Sequence, residues 1–231
     1  MLVYGLKGLA CNLRVIYTEP REYAPSKDEY EKYKGHLENA PTLPSYGVHQ
    51  VVRTPGLASS VMLRHPSLVL AFASFNEQLI RALLSTISPN RLFLVNSEPP
   101  RFPWRADATQ EIHRKLIEEY PDDNPFDAVG RLARKSSTLD YIETFELLAD
   151  VYRRQCYYNR IVVAPTGSKM QALGVALFKI CCPDVHIEYP TPESFFIEGY
   201  SSIEIHRIHH VLFTNFASQI HAAAHSYGLN G

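Results

Sequence analysis

The feature that most constrains this chain is a set of short apolar runs with no alternation, each followed by residues at helical spacing. Leu68–Phe72 reads LVLAF, Leu92–Val95 reads LFLV and Arg160–Ala164 reads RIVVA. A strand with one wet face alternates apolar and polar side chains, whereas a strand that is apolar throughout has both faces covered. Leu13–Tyr17 (LRVIY), His49–Arg53 (HQVVR), Val185–Tyr189 (VHIEY) and Ile208–Phe213 (IHHVLF) read as further strands. Phe75–Ile87, Ala106–Tyr120, Thr138–Tyr157 and Lys169–Cys181 carry apolar residues on one helical face or throughout. Helices are also predicted near Leu2–Cys11, Lys27–Leu37 and Phe216–His225. Asn96–Trp104 (NSEPPRFPW) is too rich in proline for regular structure. Pro41, Pro44 and Gly47 mark a loop, and Pro121–Ser137 reads as a long polar connection.

Strands buried on both faces and separated by helices imply a mostly parallel sheet with helices on either side. The right-handed crossover rule then leaves a doubly wound, Rossmann-like α/β arrangement. The expected layout is one such domain over 1–190, with 191–231 as a C-terminal extension packed on it. The chain opens on a helix whose natural role is to cross into LRVIY, yet no strand precedes that helix. The sheet is therefore expected to lack a first strand, unless the fold simply starts with a helix or an edge strand comes from elsewhere.

Composition excludes several function classes. The formal net charge is -1, so no global field recruits nucleic acid or an anionic membrane. No apolar run approaches the roughly 20 residues that span a bilayer. The N-terminus lacks the basic and apolar regions of a signal peptide. Cys11, Cys156, Cys181 and Cys182 form no C-x-x-C pair and no zinc spacing, which suits reduced thiols in a soluble, cytoplasmic protein.

Chemistry concentrates at the ends of strands. The most informative segment is Arg160–Ile180, RIVVAPTGSKMQALGVALFKI, where an apolar strand runs through Thr166, Gly167, Ser168 and Lys169 into a helix. Ligands of open α/β sheets bind outside the carboxyl ends of strands, and a helix N-terminus favours an anion. Gly167 permits close approach, Thr166 and Ser168 offer hydroxyls, and Lys169 offers a charge. The spacing is neither G-x-x-x-x-G-K nor G-x-G-x-x-G. The same residues also suit an ordinary turn capped by Thr166 or Ser168. Thr18, Ser74 and Asn96 follow other strands and should share that sheet edge. For Ser74 the competing role is a capping box with Glu77. Glu19 and Glu188, beside Lys169 on this edge, are the groups an enzymatic reading would use.

Other constellations are weaker. His206/His210 and His221/His225 are spaced i, i+4, which suits a metal only on a helix. IHHVLF is strand-like, H-E-x-x-H is absent, and neither a metal nor a cofactor is predicted. No G-x-S-x-G elbow occurs, and Cys181 and Cys182 lie at a helix C-terminus, the wrong end to activate a thiol.

The strand followed by TGSKM and an apolar helix resembles the strand–(T/S)GGTK–helix segment of CRISPR-associated Rossmann-fold (CARF) sensor domains. Ser168 stands where that pattern has a second glycine. LRVIYTEP also resembles the second strand of such a domain. The resemblance implies a nucleotide-sensing module in prokaryotic defence, with ligand contacts at Thr166–Lys169, and a site closed across a two-fold axis. A phosphate-bearing nucleotide or similar anion is the expected partner, and a homodimer the expected assembly. A nucleotide-processing enzyme and a structural subunit are the alternatives. The aromatic cluster Tyr189, Phe195, Phe196 and Tyr200 reads as core or interface rather than as a base-stacking platform. The C-terminal Phe195, Phe196, Tyr200, Val211, Leu212, Phe213 and Phe216 are expected to pack on the main domain or on a second copy.

Overall fold

The computed structural model describes residues 2–39, 45–61, 63–195 and 202–229. Helix α1 (Leu2–Gly5) leads to strand β1 (Leu13–Pro20), helix α2 (Lys27–Tyr33) and the short strands β2 (Ser45–Tyr46) and β3 (Gln50–Val52). Then come β4 (Ser67–Phe72), α3 (Glu77–Ile87), β5 (Arg91–Glu98), α4 (Trp104–Ile112), α5 (Arg114–Glu119) and β6 (Lys135–Ser137). The second half runs α6 (Tyr141–Gln155), β7 (Arg160–Ala164), α7 (Lys169–Cys181), β8 (His186–Ile187), β9 (Tyr189–Thr191), β10 (Ser194–Phe195), β11 (Ile205–Phe213) and α8 (Phe216–Ser226).

The centre is a five-stranded sheet in the order β6-β5-β4-β7-β8. Every neighbouring pair in it is parallel. This is the Rossmann-like α/β fold that the apolar runs predict, and its physical basis is visible in β4. Leu68, Leu70 and Phe72 face one core, with Phe145 of α6 and Leu173 and Phe178 of α7. Val69 and Ala71 face the other, with Ile80 and Leu83 of α3 and Leu116 and Ile117 of α5. The chain thus leaves β4 across one face to β5 and β6, then returns across the other through α6 and α7. β4 and β7 are adjacent, and the connections after them depart in opposite directions.

LRVIY takes a different place from the one its apolar character suggests. β1 lies outside the parallel sheet and pairs antiparallel with β11, Leu13 opposite Phe213 and Tyr17 opposite His209. Burial alternates along β1: Leu13, Val15 and Tyr17 face inward, while Arg14 and Ile16 are exposed. A strand covered on both faces would have to bury Arg14 without a partner, which is costly. The sheet's first strand in the chain is β4, and the order runs outward from it in both directions. The tail does not stand apart. Phe213, Phe216, Ile220, Ala224 and Leu229 join the core on the α7 side of the sheet.

Three smaller departures have local causes. Ala106–Tyr120 is two helices, α4 and α5, broken at His113. The polar connection after Pro121 contains a sheet strand, β6. β5 continues three residues past Val95 through Asn96–Glu98, which pair with Lys135–Ser137. Pro41, Pro44, Phe196, Gly199 and Tyr200 lie outside the described residues. No described helix is long and apolar enough to cross a membrane.

Candidate ligand site at the sheet edge

The loops that leave β4 and β7 open a cleft of about 330 Å³ at the carboxyl edge of the sheet. That is the switch point of the topology, where open α/β sheets present ligands. Ala73–Asn76 after β4, Ser97 of β5, Thr138 after β6 and Thr166–Lys169 after β7 form its floor. Tyr17, Thr18 and Pro20 of β1, with Tyr23 beyond it, form one wall. Ser45, Tyr189 and Phe195 come from the two short pairings, β2 with β10 and β3 with β9, and Pro192 from the link between β9 and β10. Thr18, Ser74, Thr166, Gly167, Ser168 and Lys169 are therefore brought together. Asn96 is not in the lining. It is fully buried in β5, and its Oδ1 accepts from Thr109 Oγ1 at 3.3 Å, while Thr109 itself reaches the cleft.

The β7–α7 turn divides its residues between scaffold and surface. Ser168 caps α7: its Oγ accepts from Gln171 N–H at 3.0 Å, and Gln171 Oε1 accepts from Ser168 N–H at 2.8 Å. The same hydroxyl donates to Thr138 O at 2.6 Å. Thr166 Oγ1 donates to Phe72 O at 2.6 Å and accepts from Phe72 N–H at 3.1 Å, tying the two central loops together. Both hydroxyls are thereby committed to the fold. Gly167 is needed because an added Cβ would collide with Gln171 Oε1 and come within 2.9 Å of Phe72 Cβ. Left over are Lys169, whose side chain is exposed, and the N–H groups of Gly167, Lys169 and Met170, which make no hydrogen bond among the described residues.

Ser74 does not cap α3. Asn76 occupies that position, and Glu77 pairs with Arg81 at 2.7 Å. The Ser74 main chain is instead held by His113, whose Nε2 lies 3.0 Å from Ser74 O and 3.3 Å from Ser74 N. Complete burial pushes the His113 imidazole down to about 4, so it is neutral at physiological pH.

The carboxylates at this edge are engaged elsewhere. Glu19, 2% exposed, meets His209 Nε2 at 3.0 Å and Arg101 Nη1 at 3.4 Å. Glu188 is held below the usual carboxylate range by His186, whose Nε2 lies 3.1 Å from Glu188 Oε1, against the upward push of burial, with Arg53 assisting. Its Oε1 lies 2.8 Å from Arg53 Nη2. Neither is in the cleft lining. All four cysteines are free, and burial pushes the Cys181 thiol up to about 11. His206 and His210 sit on a strand, and among the described residues no three His, Cys, Asp or Glu side chains converge as a metal set.

Arg105 and Tyr23 carry no signal in the sequence, because Arg105 sits inside a helix and Tyr23 lies three residues beyond β1 rather than at its end. Arg105 enters from the first turn of α4, and its guanidinium donates to Pro25 O at 2.8 Å and Ala24 O at 3.0 Å. Tyr23 comes from the chain after β1, and burial, helped by its contact with the Tyr17 hydroxyl, keeps it protonated far above the ordinary phenol range.

Fold and site together define a doubly wound α/β protein with a cleft open at its switch point. Set against known protein families, curated proteins and solved structures, the chain matches none.

Proposed function

We propose that this chain is a binding module for a phosphate-bearing, nucleotide-like small molecule, with the anion seated at Gly167–Lys169. The observation that carries this reading is the charge of the lining. Among the described residues that line the cleft there are two cations, Lys169 and Arg105, and no Asp or Glu, in a chain of net charge -1. Unpaired N–H groups at the start of a 13-residue helix add a positive dipole end beside Lys169. The same lining includes no His or Cys, the side chains that most often move protons or attack substrates. Binding is therefore favoured over turnover. The resemblance to CARF domains adds a sensing role in prokaryotic defence to the proposal.

The test is thermal shift and calorimetry against mono-, di- and cyclic nucleotides, with chromatography of the recovered ligand. At least one should bind and be returned intact. Lys169→Ala should weaken it roughly ten- to hundred-fold, the loss expected for one charged hydrogen bond. Silence towards all phosphate-bearing ligands, in both the native chain and the variant, would remove the proposal. Conversion of the ligand would replace it with the enzymatic alternative.

A further inference from the structure

Beyond the turn that would seat an anion, the cleft is walled by aromatic rings, and that wall names the other half of the ligand. Tyr17 and Tyr23 approach from the β1 side, their phenol oxygens 3.2 Å apart. Phe75 approaches from the loop after β4 and is only partly buried. Its ring is held in place by its neighbours: Trp104 packs against it in a T-shaped contact at 6.2 Å, and Tyr30 does so at 6.0 Å. The Arg105 guanidinium lies 4.3 Å from the Phe75 centroid. Rings fixed in advance lose little freedom when a flat partner stacks on them, and every nucleobase offers such a face. A sugar phosphate alone would leave this apolar wall in water. The volume of about 330 Å³ falls at the small end of small-molecule sites, about 300–1,000 Å³, which suits one nucleotide.

We infer that the cleft is a two-part site for a single nucleoside phosphate, with the base stacked in the slot formed by Tyr17, Tyr23, Phe75 and Arg105. This inference rests on the anion reading above and adds the base to it. The paired tyrosine hydroxyls can donate to and accept from the base edge. Stacking does most of the holding, so the slot tolerates different bases and favours the larger purines.

The experiment is calorimetry on the intact chain with AMP, CMP, ribose 5-phosphate and inorganic phosphate. AMP should bind best, with ribose 5-phosphate weaker by at least about ten-fold. Phe75→Leu and Tyr17→Leu should each weaken AMP about ten- to hundred-fold and leave ribose 5-phosphate unchanged, whereas Lys169→Ala should weaken both. Trp104 is the only tryptophan and touches Phe75, so its emission should move on AMP addition and stay still with ribose 5-phosphate. This readout and the ligand series use the native chain and need no variant to fold. Ribose 5-phosphate binding as tightly as AMP would overturn the base slot while leaving the anion reading intact. Failure of AMP and ribose 5-phosphate alike would remove both.

Discussion

The parallel sheet and the β1–β11 ribbon are both built from β-branched, apolar-rich strands, yet they behave in opposite ways. In β4, residues Leu68 through Phe72 are wholly buried, because α3 and α5 cover one face and α6 and α7 the other. In the ribbon only the inward face is covered. Ile16 and Leu212 on the outward face remain 58% and 56% exposed. Apolar content alone therefore does not say where a strand goes; the charged residues inside it do. Arg14 in LRVIY needs water, and RIVVA and LVLAF have no interior charge to accommodate. The cleft forms where these two regions meet, with a rigid floor from the sheet and a wall from the ribbon.

The contrast can be broken most forcefully at Phe72, which sits fully buried under both Thr166 and Gly167. Phe72→Ala should cost about 3–5 kcal/mol in urea unfolding, and a loss under about 1 kcal/mol would mean the sheet centre is not the packed core described here. The next effect is acid-dependent. The folded-state value of His113, about 4, lies below its ordinary 6.5. The unfolded chain therefore binds the proton more readily, so stability is complete above about pH 6.5 and is lost as pH falls towards 4. The expected loss is about 3 kcal/mol, at 1.36 kcal/mol per unit. His113→Gln should flatten that part of the profile, and an unchanged slope would assign the acid sensitivity to other groups.

Ser168→Ala sharpens the division of labour in the β7–α7 turn. It removes the α7 cap and the bond to Thr138 O, and should cost about 1 kcal/mol by thermal unfolding. The smallest effect belongs to the outward ribbon face. Ile16→Ala should change stability by less than about 0.5 kcal/mol. A larger loss that grows on dilution would show that a second copy covers this face.

Much of this architecture was legible in the sequence because its signals were local. LVLAF, LFLV and RIVVA each announce burial on both faces, and the alternation with helices announces a parallel sheet. Six of the seven residues named for the ligand edge line the cleft. Ser74 and Thr166–Lys169 do so because residues just after parallel strands must share an edge, whereas Thr18 reaches it from β1, outside that sheet. Asn96 misses it because β5 runs on past Val95, pulled along by β6. That strand, Lys135–Ser137, could not be read. It is short and polar, and its buried Ser136 is partnered by a distant residue, Gln171 of α7, whose Nε2 donates to the Ser136 hydroxyl at 2.9 Å.

By itself, then, the sequence determined the doubly wound sheet, the helix faces that cover it and the β7–α7 turn, since each follows from residue periodicity within a single segment. Only the tertiary structure decided that β1 leaves the sheet for β11, nearly the whole chain away. It also decided that Ser168 spends its hydroxyl on a cap rather than on the cleft, and that Arg105, Tyr23 and Phe75 line one cleft. Those outcomes depend on which distant side chains satisfy a buried hydrogen bond or charge, and no local spacing encodes that.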